Sequence, residues 1–135
     1  MGKLSAAVVG TMLDALGAQA NSGTIKIYTG SAPTNVETAA TGTLLATCTL
    51  GATAFASAVP VTGTGASITA NSITQDSSAD ASGTAGYYRT LKSDGTTAID
   101  QGTIGTSGTD MIVPSTTVTS GVPFEISSYV ITQTC

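Results

Sequence analysis

Five aspartates concentrate most of the acidic chemistry of this chain: Asp76, Asp80, Asp94, Asp100 and Asp110, all in or beside Gly/Ser-rich turns. Loop carboxylates of this kind can hold Ca²⁺, which asks for about six to eight oxygens converging on one point. Asp76-Ser77-Ser78-Ala79-Asp80 places two carboxylates four residues apart, without the Gly and closing Glu of an EF-hand loop. The expected role of these groups is Asx-type turn bonding by solvated side chains. Asp14 stands alone on a helical stretch, and Asp100 and Asp110 have no base or nucleophile beside them in sequence. Gly102 to Gly108 is glycine-rich, but no Lys-Ser/Thr and no helix follows to receive a phosphate.

The residues that usually do acid–base, nucleophilic or metal chemistry are scarce. There is no His and no Trp, with two Cys, four Lys+Arg and eight Asp+Glu in 135 residues. No catalytic residue, no metal site and no cofactor is expected, and the chain reads as a building part rather than an enzyme. Cys48 alternates with apolar neighbours and reads as a small buried hydrophobe, while Cys135 reads as a free tail thiol. Tyr87-Tyr88-Arg89 suits a binding patch, because Tyr and Arg are enriched at interaction hot spots. Strand alternation sends only one of the two tyrosines outward. Lys3, Lys26, Arg89 and Lys92 are scattered in a chain of net charge −4, so neither nucleic acid nor an anionic membrane is an expected partner.

These side chains need a scaffold, and the composition indicates which. A hydrophobic share of 41% beside only 9% charge argues for an ordered chain rather than a disordered one. The length suits one domain, with an N-terminal helix over 1–22 as part of the same unit and a β-sandwich over 23–135. Lys3, the apolar run from Leu4 and Ala18-Gln19-Ala20 have the layout of a secretory leader, but Asp14 interrupts the apolar stretch. An amphipathic helix is the better reading, too short to span a bilayer. Leu4, Val8, Met12 and Leu16 form its stripe, widened by Val9 and Leu13, and the stripe is expected to be buried against the domain or a neighbouring chain.

Strands are expected over Thr24–Thr29, Thr43–Leu50, Val59–Val61, Ala66–Thr74, Ala85–Leu91, Thr97–Ile104, Met111–Val113, Thr116–Thr119 and Phe124–Thr132. Asp94-Gly95 between two of them is a hairpin signal. Gly30 to Gly42 reads as a long exposed loop, and a loop of that length usually has a function. The candidate protein interface is therefore Leu4, Val8 and Met12 on the helix, Pro33, Asn35 and Glu37 in the loop, and Tyr88 with Arg89. The fold class expected is all-β: an antiparallel β-sandwich of jelly-roll type with one N-terminal α-helix.

Thr24-Ile25-Lys26-Ile27-Tyr28-Thr29-Gly30-Ser31-Ala32-Pro33, followed by Ala40-Thr41-Gly42-Thr43-Leu44-Leu45-Ala46, resembles small β-rich virion structural proteins of tailed bacteriophages. Ala85-Gly86-Tyr87-Tyr88-Arg89, Ser93-Asp94-Gly95 and Gly105-Thr106-Ser107-Gly108 extend the resemblance, which covers about Thr24 to Thr132. It implies a capsid decoration or cement protein that stabilises a phage head by bridging adjacent capsid subunits. The implied partners are the major capsid protein or another virion protein, and a homo-oligomer, dimer or trimer, is expected. The implied location is the virion, assembled in the host cytoplasm. A small tail or head–tail connector component and a surface- or carbohydrate-binding β-sandwich module are the alternatives.

Overall fold

The computed structural model describes residues 2–134. Within them lie one helix, α1 (Ala6–Gln19), and the strands β1 (Thr24–Tyr28), β2 (Leu44–Leu50), β3 (Val59–Val61), β4 (Gly65–Thr69), β5 (Ile73–Thr74), β6 (Gly83–Thr84), β7 (Tyr87–Leu91), β8 (Ala98–Gly105), β9 (Met111–Ile112), β10 (Thr117–Val118) and β11 (Ser128–Thr134). With 39% of the chain in strands, the fold is mostly β with one helix, as expected. Nine strands join in one curled sheet in the order β3-β4-β11-β9-β8-β7-β1-β2-β5, and β6 pairs with β10 apart from it.

The curl follows from a short connection. The expected strand over 66–74 breaks at Ala70–Ser72, with β4 next to one end of the sheet and β5 forming the other end. Three linking residues reach only about 14 Å between flanking Cα atoms, so the two ends of the sheet come close together. The enclosed space is filled by one core cluster containing Ile25, Ile27, Leu45, Cys48, Ile68, Met111 and Tyr129, with Val9 and Leu13 added by α1. Cys48 is buried as expected, and burial raises its thiol pKa to about 11. The reading of Cys135 lies outside the described residues.

The sheet is mixed, which corrects the purely antiparallel expectation at one pair. β8 and β9 run parallel, Ile104 beside Met111 and Gly105 beside Ile112. Parallel neighbours ordinarily need a crossover of about a dozen residues. This pair manages with Thr106–Asp110 because β9 is only two residues long and the turn is pinned at both ends. Asp110 Oδ2 accepts from the Thr103 N–H at 3.0 Å, and Val113 N–H donates to the Gly105 carbonyl at 2.9 Å. The last strand also starts later than expected, at Ser128. Phe124 exchanges backbone hydrogen bonds with Asp76 instead of continuing the ladder.

The β7–β8 hairpin forms where Asp94-Gly95 places it. Gly95 takes φ +76°, a left-handed conformation that costs glycine nothing, and its N–H donates to the Lys92 carbonyl at 2.9 Å. The Asp94 carboxylate accepts from both N–H groups of Thr96 and Thr97 and from the Thr97 hydroxyl. Those bonds, the Thr97 ones first, hold its pKa at about 2. Asp76 also makes its Asx turn with Ser78, and its other oxygen accepts from the Thr47 N–H of β2.

Candidate functional site

Helix α1 begins at Ser5, whose hydroxyl oxygen accepts from the Val8 N–H as an N-cap. It is fastened to the segment before β3 by Asp14, whose Oδ1 accepts from the Ala58 N–H at 2.7 Å. The face laid on the sheet carries Val9, Gly10, Leu13 and Gly17. Its glycines allow close approach: a Cβ on Gly10 would lie 3.5 Å from that of Ala58, and one on Gly17 3.2 Å from that of Phe55.

Of the two expected covers for the stripe, its own domain is not the one that buries Leu4, Val8 and Met12. Leu4, Val8 and Met12 are 50%, 48% and 51% exposed, while Leu16 is half-buried against the core. The physical reason is depth. The larger side chains make the more conspicuous stripe, but the smaller face lets the helix axis come nearer to β4. The consequence is a helix that is apolar on two sides, with only one side used by its own domain.

Beside the helix lies β3, the free end of the sheet, with Val59 and Val61 both more than half exposed. α1 packs against β3 and β4. The first helical turn and the β3–β4 turn enclose a cleft of about 480 Å³ between Leu4 and Pro60. Pro60 has no N–H and cannot donate to a further strand, which limits edge pairing here. Leu4, Val8 and Met12 are the exposed apolar side chains of α1 and the turn before it, and Val59 and Val61 those of β3.

The other expected interface residues fall elsewhere. Gly30–Gly42 does not hang free; it folds back over the outer side of β1, β7 and β8. The Tyr87 hydroxyl donates to the Thr41 carbonyl at 2.7 Å and accepts from the Thr41 N–H at 3.0 Å. Arg89 donates to the Thr38 carbonyl and to Gln101 Oε1, both at 2.7 Å, and Gln101 donates to the Pro33 carbonyl. Pro33 is thereby half-buried, while Asn35 and Glu37 stay exposed. Tyr88 and Arg89 are buried, 2% and 5% exposed, which corrects the expectation that they lie on the open surface: Tyr88 faces the core and Arg89 is covered by the Gly30–Gly42 segment. Alternation correctly separated the two sides of β7, but it carried no information about the loop that covers the outer one.

On the inner side of β7 is a polar cluster that sequence reasoning missed. The hydroxyls of Tyr88 and Tyr129 both donate to Asp100 Oδ2 at 2.7 Å, and Thr90 Oγ1 lies 2.7 Å from the Tyr129 hydroxyl. Tyr129 stands edge-on to both Tyr88 and Phe55. Burial raises the Asp100 carboxyl above its ordinary value, and burial reinforced by the Asp100 charge raises both phenols. Gly102 leaves room for this arrangement, since a Cβ there would lie 2.5 Å from Asp110 Oδ2 and 3.0 Å from the Tyr88 hydroxyl. The available signal was an Asp on the same strand face as Ile104 and opposite Thr90 in the hairpin; its contact with Tyr129 is non-local.

Chemically, the inner cluster is a closed hydrogen-bond network that positions strands, and the open surfaces offer apolar contact. Among the described residues, no three His, Cys, Asp or Glu side chains gather at one point, and no helix is long and apolar enough to cross a membrane. Compared with known proteins, the chain matches no protein-family model, no curated protein and no solved structure.

Proposed function

We propose that this chain is a structural virion protein: a capsid decoration, or cement, protein that stabilises a tailed-phage head by bridging adjacent capsid subunits. The observation that carries the reading is the open apolar face of α1, on which Leu4, Val8 and Met12 are about half exposed. A helix apolar on both sides is normally buried on both, and an exposed apolar face marks protein contact. The resemblance over Thr24 to Thr132 supports a virion partner, the major capsid protein foremost, and a homo-oligomeric state. Repetition over a symmetric shell turns modest contacts into firm attachment through effective concentration. Binding the intact lattice alone stabilises it by mass action.

The finer architecture belongs to the same proposal. We read the curled sheet as a two-layered, sandwich-like closure of jelly-roll kind, supported by Tyr129 of β11 reaching Thr90 of β7 across the core.

The test is to image purified virions with gold-labelled antibody against the chain and to heat particles made with and without it. Label over the head, together with earlier DNA loss from heads lacking the protein, is the expected result. Label confined to the tail would move the protein to a tail or connector position. Unlabelled particles of unchanged heat resistance would overturn the virion reading altogether.

A further inference from the structure

Four cationic side chains serve the whole molecule, and the fold places two of them side by side. Lys26 of β1 is the direct cross-strand partner of Arg89 of β7. Like charges directly opposite on adjacent strands repel and destabilise the pairing. Arg89 is also buried, and its Nε has no hydrogen-bond partner. Among the described residues, no carboxylate lies within 4.0 Å of either cation. The guanidinium is met only by the neutral oxygens of Thr38 and Gln101. A buried charge without a counter-charge is costly, and a second cation stands opposite it on the neighbouring strand.

Both side chains line the same space, a cavity of about 470 Å³ between the Gly30–Gly42 segment and the tip of the β7–β8 hairpin. Its other walls include Tyr28, Val36, Leu91 and Ala98, which suit an organic body better than a bare inorganic ion. The volume is in the range of small-molecule sites, roughly 300–1,000 Å³. Glu37 also lines the cavity, but it is exposed and makes no ion pair with Lys26 or Arg89.

We propose that this cavity is a carboxylate-binding site in which Lys26 and Arg89 supply the positive charge and the apolar walls hold the attached carbon skeleton. The ligand is a small organic carboxylate or an acidic side chain presented on a protein segment. The site stands apart from the α1–β3 surface and does not depend on the virion reading.

Titration of the ¹⁵N-labelled protein with benzoate, followed by amide chemical shifts, tests it. Benzoate should move the amides of Glu37–Ala40 and Thr96–Ala98, whereas benzamide, its neutral isostere, should not. Lys26→Met should weaken benzoate binding about tenfold and Glu37→Gln should leave it intact or tighter. Arg89→Met should abolish it; if that variant fails to fold, the half-buried Lys26 still decides the matter. A capped Gly-Asp-Gly peptide compared with Gly-Asn-Gly identifies the source: binding of the Asp peptide favours a protein segment, and binding of benzoate alone favours a free metabolite-sized acid. Equal shifts from benzamide, unchanged affinity in Lys26→Met, or no shift from benzoate and peptide alike would overturn the proposal.

Discussion

The two faces of α1 carry similar side chains and meet different fates. Val9 and Leu13 are sealed into the core shared with the sheet, while Val8 and Met12, one residue away from each, stay half in solvent. The same asymmetry recurs in β7 at the level of polarity. On its inner side Tyr88 and Thr90 belong to a network in which the hydroxyls and the Asp100 carboxylate complete one another. On its outer side Arg89 and its neighbour Lys26 find no counter-charge. In the helix the outer side is left open, and in the strand the outer side is covered by the chain itself but its charge is left unmatched. Stability and interaction are thus separable, residue by residue, within one helix and one strand.

The strongest way to break this comparison is to cut both faces of α1. Leu13→Ala should cost about 2–5 kcal/mol of unfolding free energy, the usual range for a buried leucine. Met12→Ala should change stability by less than about 0.5 kcal/mol, as for a surface site. Urea unfolding of the two variants measures both, and comparable losses would show that the outer face is supported internally after all.

A smaller contrast is expected across β7. Tyr129→Phe removes one hydroxyl and leaves Asp100 and Thr90 each short of a partner, at a cost of about 1–3 kcal/mol. Arg89→Met removes a charge with no ion partner, and the relief of that buried charge offsets the loss of its bonds to Thr38 and Gln101, so its net cost should stay below that of Tyr129→Phe. A larger loss from Arg89→Met than from Tyr129→Phe would reverse the assignment of which side is structural.

The pH dependence sharpens the contrast further, because two aspartates of one hairpin titrate in opposite directions. Asp94, with its pKa lowered from 3.8 to about 2 by bonds from Thr97 and Thr96, favours the folded state above its ordinary value. That contribution is lost as the pH falls through about 2. Asp100, raised by burial, contributes in the opposite sense: its share is fully present below its ordinary value of 3.8 and is lost as the pH rises through the raised one. The urea midpoint of Asp94→Asn should therefore converge on that of the unmodified protein in acid. The advantage of the unmodified protein over Asp100→Asn should shrink as the pH rises. Parallel pH profiles for the two variants would contradict the burial difference.

Local chemistry was legible in the sequence, and cover was not. The hairpin at Asp94-Gly95 depends on a turn residue that alone suits φ +76°, and Ile25 and Ile27 alternate within five residues, so both could be read directly. The helix was legible as a helix, yet its inner face was misjudged because glycine 10 and glycine 17 attract no notice until a sheet lies against them. The Lys26–Arg89 adjacency and the approach of Tyr129 to Asp100 arise between distant segments, while the parallel β8–β9 pair arises from a short turn with no recognisable turn signal. Period and composition hold no record of such register. Likewise, the loop that buries Arg89 could be recognised as long, but not as folded back.

We propose above that the outer face of α1 docks on a phage head. Purified protein should be mixed with heads that lack it, sedimented, and the bound fraction compared with that of a variant carrying Leu4→Ser, Val8→Ser and Met12→Ser. The account predicts that the unmodified protein cosediments near saturation, while the triple variant, equally stable in urea, stays in the supernatant with affinity reduced at least about a hundredfold. Equal cosedimentation of the two proteins, or no binding by the unmodified one, would contradict it.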